Sequence, residues 1–329
     1  MDFAYSSRLK KKGEKMILAG DIGGTHTRLA LYDGRKLIRE EIFFSKEYSA
    51  LIHILHEFLK EHKEVKKAVF GVAGPVKDGK CKVTNLPWFI DAREISEKAH
   101  IPDVMLINDL LANAYGIRAL KEDEFFILNK GEKAKGNCCL ISPGTGLGEA
   151  GLYWDGKRHH PFATEGGHSD FAPVDKLQCE LLHYLQGRYD HVSYERILSG
   201  PGISDLYHFF RDVKKENPIP GPLTDLPPLV SSKAIEKNSV ICEKTMRLFV
   251  SIYGAESGNL ALKLLALGGV YIGGGIAPRI LPLLKDGVFM ESFFTKGRFK
   301  ELLRHIPVKV ILNENTALLG ALEFALEKN

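Results

Sequence analysis

A chain of 329 residues with 44% hydrophobic and 26% charged content has the composition of a folded globular protein, long enough for two lobes or one large α/β domain. The net charge of +4 and pI near 8.6 are too mild to mark a nucleic-acid binder, although they suit anionic ligands. Five cysteines without CxxC spacing exclude a disulfide framework and a zinc site; they read as reduced intracellular thiols of a cytoplasmic protein, with Cys138-Cys139 in the core.

Residues 1–15, which include SRLKKKGEK, read as a solvated basic tail. Only about four apolar residues follow before Asp21, too few for a signal-peptide core or a membrane span. Strands are predicted over residues 16–20, 28–32 and 36–44, with the Asp-Gly of YDGRK as a hairpin signal. A helix over 49–62 puts Leu51, Ile54, Leu55, Phe58 and Leu59 on one face. KKAVFGVAGPV is a strand ending in a Gly-Pro turn, and VMLINDLLANAYGI is a strand that breaks at Asn108-Asp109 into a helix. CCLISPGTGLGEAGLYWDGKR gives a further hairpin. Residues 216–232, with five prolines, read as a surface excursion, and 239–267 as a long packed helix. GGVYIGGGIAPRI and VKVILNENTALLGALEFAL each read strand, turn, helix.

This alternation predicts an α/β protein. Aligning Asp33 with Asp155 lays GDIGGTHTRLALYDG over SPGTGLGEAGLYWDG, which predicts a duplicated core, one glycine loop from each half, and a cleft faced by both.

Consecutive amides without side chains make an anion-binding concavity. Gly23, Gly24 and Thr25 supply one, and Gly144, Thr145 and Gly146 a second. Both loops also read as plain tight turns; neither is followed by Lys-Ser/Thr as in a P-loop, and neither opens a helix. Asp21 favours the cradle: an acid beside a phosphate is repulsive unless a divalent cation lies between them, so Asp21 with Gly23-Gly24-Thr25 reads as a magnesium–nucleotide site. Gly273-Gly274-Gly275 fits either close approach of adenine or ribose, or close helix–strand packing.

Asn108-Asp109 offers a helix cap, or a ligand group at the carboxyl end of a buried strand, where a carboxylate accepts the proton of an attacking hydroxyl. Glu165 and His168 flank a Gly-Gly turn whose glycines forbid the helical zinc arrangement. Taken singly, these residues and Glu195 read as solvated or capping groups. Collectively they make a set for recognising a polyhydroxylated molecule.

In order along the chain, GDIGGTHTRLAL, TNLPW, INDLLANAYGI, GTGLGEAGL, EGGHSDFAP, ERILSGPG and GGVYIGGGIAPR resemble the bacterial-type glucokinases of the hexokinase, Hsp70 and actin superfamily, from about Ile17 to the C-terminal helix. The resemblance implies an actin-like (ribonuclease H-like) ATPase fold of two α/β lobes around a cleft: the smaller from 16–109 plus 310–329, the larger from 110–309. It implies Asp109 as general base toward the sugar 6-hydroxyl, with Asn108, Glu165, His168 and Glu195 on the other hydroxyls. Gly20, Asp21, Ile22, Gly23, Gly24 and Thr25 would contact the nucleotide, Asp21 organising Mg²⁺ directly or through water. Gly144 and Thr145 would form the second phosphate loop, and Gly273, Gly274 and Gly275 the adenosine wall. Ser142-Pro143 and His26 depart from the family pattern. EGGHSDFAP lacks the following cysteines of the related ROK sugar kinases and repressors.

The function expected is ATP-dependent phosphorylation of glucose at the 6-hydroxyl, at the head of glycolysis, by a cytoplasmic homodimer without nucleic-acid or membrane partners. A kinase for another hexose or an N-acyl amino sugar would use the same set, and ADP or polyphosphate could replace ATP at a glycine-lined site. A non-catalytic sugar-sensing regulator would need a DNA-binding module, for which the roughly 15 residues before the first strand are too few.

Overall fold

The structure is a computed structural model that describes residues 16–61, 64–220 and 224–328; the basic tail expected over 1–15 lies outside the described residues. Strands β1 (Met16–Ile22) and β2 (His26–Asp33) form the first hairpin, with β3 (Lys36–Phe44) antiparallel on the far side of β2. Helix α1 (Leu51–Phe58) buries Leu51, Ile54, Leu55 and Phe58, the spacing of one helical face. Its regular part ends at Phe58; Leu59 caps it, donating its N–H to the Leu55 carbonyl, and packs on the same core, while the expected end at residue 62 lies outside the described residues.

Strand β4 (Val65–Val72) is followed by the short strands β5 (Val76–Lys77), β6 (Lys80–Lys82) and β7 (Phe89–Asp91), then by α2 (Ala92–Ala99), which Asp91 caps through the Arg93 amide. Strand β8 (Asp103–Asn108) runs directly into α3 (Asp109–Gly116). Next come β9 (Phe125–Asn129), β10 (Cys138–Pro143), β11 (Leu147–Trp154) and β12 (His159–Thr164). Helices α4 (Lys176–Gln186), α5 (Gly200–Asp212), α6 (Leu226–Ile235) and α7 (Val240–Lys263) follow.

The proline-rich segment is only partly an excursion. Pro227 and Pro228 lie in the first turn of α6, where a missing N–H leaves no helical bond unmade. The chain closes with β13 (Gly269–Ile272), α8 (Ile276–Arg279), α9 (Leu281–Leu284), α10 (Val288–Phe294), α11 (Lys300–Arg304), β14 (Val308–Ile311) and α12 (Thr316–Glu327).

The contacts divide the chain into two compact units, 1–119 with 315–329, and 120–314. A boundary drawn after 109 would cut α3 behind its first residue; α3 packs on α12 through Ala112 and Leu318, which keeps it in the first unit. In unit 1 a five-stranded sheet, β3-β2-β1-β4-β8, is covered on one face by α1 and α2 (Leu18, Phe70, Ile54, Phe58) and on the other by α3 and α12 (Ile17, Val69, Leu318, Ala321). A small sheet, β5-β6-β7, lies beside it in sequence.

Unit 2 repeats the order: β12-β11-β10-β13-β14, with β9 added antiparallel to β14. In both sheets an antiparallel three-strand meander continues into parallel strands. Helix α7 buries Leu248, Phe249 and Glu256 on one side and Val250, Gly254, Ala255 and Gly258 on the others, around its whole circumference, as a helix through the middle of a core must. Cys138 and Cys139 are buried free thiols, as the apolar strand pattern predicted. Among the described residues, no helix is long and apolar enough to cross a membrane.

Candidate active site

The polar residues singled out in the sequence fall into two groups, one on each unit. In unit 1, Asp21 stands near the end of β1, directly across the hairpin from Arg28. Arg28 Nη1 lies 3.6 Å from Asp21 Oδ2. Burial pushes the Asp21 carboxyl above its ordinary range, and the Arg28 guanidinium pulls it back. Arg28 is thus a partner of Asp21 that sequence reasoning missed; counting back across the hairpin would have placed it opposite the acid.

The turn after β1 is partly closed by its own bonds. Gly23 donates its N–H to the His26 carbonyl at 2.9 Å, so that amide is not available to a phosphate. The exposed Thr25 accepts from the Ser45 amide at 2.9 Å, and Ser45 Oγ donates to the Gly23 carbonyl at 2.8 Å. Two residues expected to contact the nucleotide also have packing roles. Gly20 lies mid-strand under the Phe70 ring, where any side chain would overlap it, and the Ile22 side chain is fully buried in the core.

Where β8 meets α3, the cap falls to Asn108. Its Oδ1 accepts from the Leu110 and Leu111 amides at 3.0 and 3.2 Å, and its Nδ2 donates to the Gly74 carbonyl at 3.3 Å. Asp109 is the first helical residue, half-buried, with Oδ1 accepting from the Leu110 amide at 2.9 Å.

Unit 2 brings Glu165, His168 and Glu195 together. His168 Nε2 lies 4.0 Å from Glu165 Oε2 and 3.8 Å from Glu195 Oε2. Glu195 Oε2 also accepts the Leu147 amide at 2.9 Å, and its carboxylate occupies the space that a side chain on Gly146 would need. This acid therefore joins the Glu165–His168 pair to the Gly144–Gly146 loop. Within that loop the Gly144 amide donates to the Gly146 carbonyl at 2.8 Å, while the Gly144 carbonyl accepts from Gly200, the first residue of α5. Thr145 is exposed.

The Gly273–Gly275 turn packs against the end of β10. Gly274, at φ +79°, sits so close to the Pro143 carbonyl that no other residue fits, which favours the packing reading there. Gly273 is buried beside Leu140, whereas Gly275 is exposed with open space around it. Among the described residues there is no group of three or more His, Cys, Asp or Glu able to cage a metal.

A glucokinase family model matches residues 18–328. The glucokinase of Nostoc punctiforme is 40% identical over 93% of this chain and 97% of its own length. That of Shigella sonnei is 36% identical over 93% and 96%. Among solved structures, the crystal structure of glucokinase from an Antarctic psychrotroph has a TM-score of 0.83 at 30% identity, covering 95% of this chain and 99% of that one.

Proposed function

This chain belongs to the glucokinase family and catalyses the ATP-dependent phosphorylation of glucose; on that premise we propose that Asp109 is the general base of the transfer. The capping of α3 carries this reading. Asn108 accepts from both the Leu110 and Leu111 amides, so the Leu110 amide that Asp109 Oδ1 also accepts keeps a partner when the acid turns to a substrate hydroxyl. That acid stands at the carboxyl end of a parallel strand, where α/β sheets gather ligand groups.

The 6-hydroxyl oxygen attacks the γ-phosphorus of ATP. As the new O–P bond forms and the bond to ADP breaks, the hydroxyl proton passes to the Asp109 carboxylate. Glu165, His168 and Glu195 hold the remaining hydroxyls, and Asn108 adds its Nδ2, whose bond to Gly74 is long at 3.3 Å. Because phosphoryl transfer needs little covalent help, positioning and charge neutralisation dominate the rate.

On the nucleotide side, Gly24 and Thr25 offer amides in unit 1, since the Gly23 amide is taken. In unit 2, Thr145 and Gly146 do the same, with the bare backbone of Gly275 as the wall. Asp21 fits a magnesium ion that keeps most of its waters: one half-buried carboxylate beside a glycine turn, with no protein cage, is the donor set such an ion takes with phosphate oxygens. Bound there, the ion neutralises phosphate charge. The sheet order repeated in the two units supports an actin-like, duplicated fold.

The test is Asp109→Asn. Turnover should fall by roughly 10²- to 10⁴-fold, while the calorimetric Kd for glucose stays within about threefold. Near-normal turnover would remove Asp109 from the role of base.

A further inference from the structure

Helix α7 carries a buried acid that no step above uses. Glu256, Asn259 and Lys263 follow one another three and four residues apart, on one face of the helix. Glu256 is fully buried; its Oε1 accepts from the half-exposed Lys263 ammonium at 3.1 Å and its Oε2 from Asn259 Nδ2 at 2.7 Å. The same Asn259 nitrogen donates its other hydrogen to the Tyr194 hydroxyl at 3.1 Å. Both N–H groups of one amide are thus used, one on each partner.

Tyr194 directly precedes Glu195 and is 3% exposed. Its backbone sews together the two segments that carry His168 and Glu195. The Tyr194 N–H donates to the Ser169 carbonyl at 3.1 Å, Asp170 and Ser193 form an antiparallel bridge, and the Phe171 N–H donates to the Val192 carbonyl at 3.0 Å. Ser169 closes the turn after His168, its N–H and its Oγ donating to the Gly166 carbonyl at 2.9 and 2.7 Å. The Tyr194 carbonyl accepts from the Ile197 and Leu198 amides at 3.0 and 2.8 Å, which shapes the turn that presents Glu195. With this ladder in place, His168 Nε2 stands 3.8 Å from Glu195 Oε2.

The Tyr194 ring meets Phe171 edge-on, with centroids 5.7 Å apart. Burial of this kind is favourable but weakly directional, whereas a hydrogen bond has a required angle and length. A buried ion pair adds little stability over apolar side chains of the same volume. What Glu256 and Lys263 supply is a fixed orientation for the Asn259 amide, and through it for the phenol.

We propose that Tyr194 is a positioning residue for the sugar site: Asn259 pins its hydroxyl to α7, and its backbone then holds the His168 turn and Glu195 at a fixed spacing. This rests on the reading of Glu165, His168 and Glu195 as partners of the sugar hydroxyls. Tyr194 acts through those residues and not on the sugar itself. Releasing the phenol loosens the spacing between His168 and Glu195, so glucose binds more weakly. The transfer step, which depends on Asp109, keeps its rate.

The experiment measures kcat and the KM for glucose and for ATP in wild type, Tyr194→Phe, Asn259→Leu, the double variant and Glu195→Gln. Tyr194→Phe keeps the ring and removes the acceptor. Its glucose KM should rise about fivefold, the loss of one hydrogen bond, with kcat and the ATP KM within about twofold of wild type. Asn259→Leu should do the same, and the double variant should also stay near fivefold, because both changes remove one contact. An unchanged glucose KM in both single variants overturns the proposal. So do effects that multiply to about 25-fold in the double variant, or losses shared equally by kcat and the ATP KM. Glu195→Gln should raise the glucose KM; an unaltered value there would overturn the sugar-site reading itself.

Discussion

The two units solve one packing problem with different chemistry. Anchored on their Asp-Gly turns, Thr27 of β2 matches Glu149 of β11, and both are buried. In unit 1 the Thr27 hydroxyl meets Ser45 Oγ at 3.0 Å, and Ser45 Oγ reaches the Gly23 carbonyl, so uncharged hydroxyls pin the first glycine loop at any pH. In unit 2 the buried Glu149 carboxyl takes the corresponding place, filling the space under Gly166 beside the Glu165–His168 turn. A repeated sheet order therefore fixes where a polar group is needed and not which group supplies it. The registers differ as well: Ile22 faces Thr27 across residues 23–26, whereas Pro143 faces Leu147 across 144–146. The gap-free alignment thus holds on the second strand of each hairpin and slips on the first.

The widest contrast should come at the ends of the last parallel strands, Asn108-Asp109 and Asn313-Glu314. The same neutralisation should cost turnover roughly 10²- to 10⁴-fold at Asp109 and leave it within about twofold for Glu314→Gln. Equal losses would break the asymmetry between the units.

The next contrast concerns pH. The folded-state carboxyl of Glu149 is raised from 4.5 to about 7, so in that window the folded state binds more protons than the unfolded chain. Its stabilising contribution is complete below 4.5 and is lost as pH rises through 7. Urea midpoints should show wild type losing up to ~1.4 kcal/mol per pH unit relative to Glu149→Gln across this range. Thr27→Val should instead cost ~1–3 kcal/mol with no pH dependence.

A smaller effect is expected at Asp21, which has an arginine across its hairpin where the matched position on β11 is Ala150. Asp21→Asn should shift the Mg²⁺ activation midpoint upward by about tenfold, the loss of one charged contact. An unchanged midpoint would reduce Asp21 to a partner of Arg28. Smallest is the pair of helix caps. Asn108→Ala should lower stability by ~1 kcal/mol, because its side chain caps α3. Asn315→Ala should cost less by thermal denaturation, since its side chain makes no capping bond to α12 and donates to the Glu40 carboxylate at an exposed position.

Much of this arrangement was legible because it is local. Strand, glycine turn and strand follow from short-range pattern, as does the break at Asn108-Asp109, and Glu165 and His168 lie three residues apart. The gathering of Glu195 with them was also legible, through the kind of polar set a sugar requires. What escaped depends on pairing between distant segments. Glu256 lies in a helix whose charges look solvated until packing surrounds all its faces. The packing role of Gly20 was hidden because the Phe70 ring above it comes from the next parallel strand. The internal use of the Gly23 and Gly144 amides was invisible because it depends on turn geometry and not on residue type.

The placement of α12 has a consequence for biosynthesis. Protein leaving a ribosome generally folds domain by domain from its leading end. Here the ribosome delivers every element of unit 2 before α12, the helix that covers α3 and one face of the first sheet. The earlier-translated unit is therefore the later one to mature, and its bare apolar face is what a chaperone would meet on the nascent polypeptide. A chain cut short between residues 314 and 316 would keep all of unit 2 and leave α3, which begins at Asp109, without the helix that covers it.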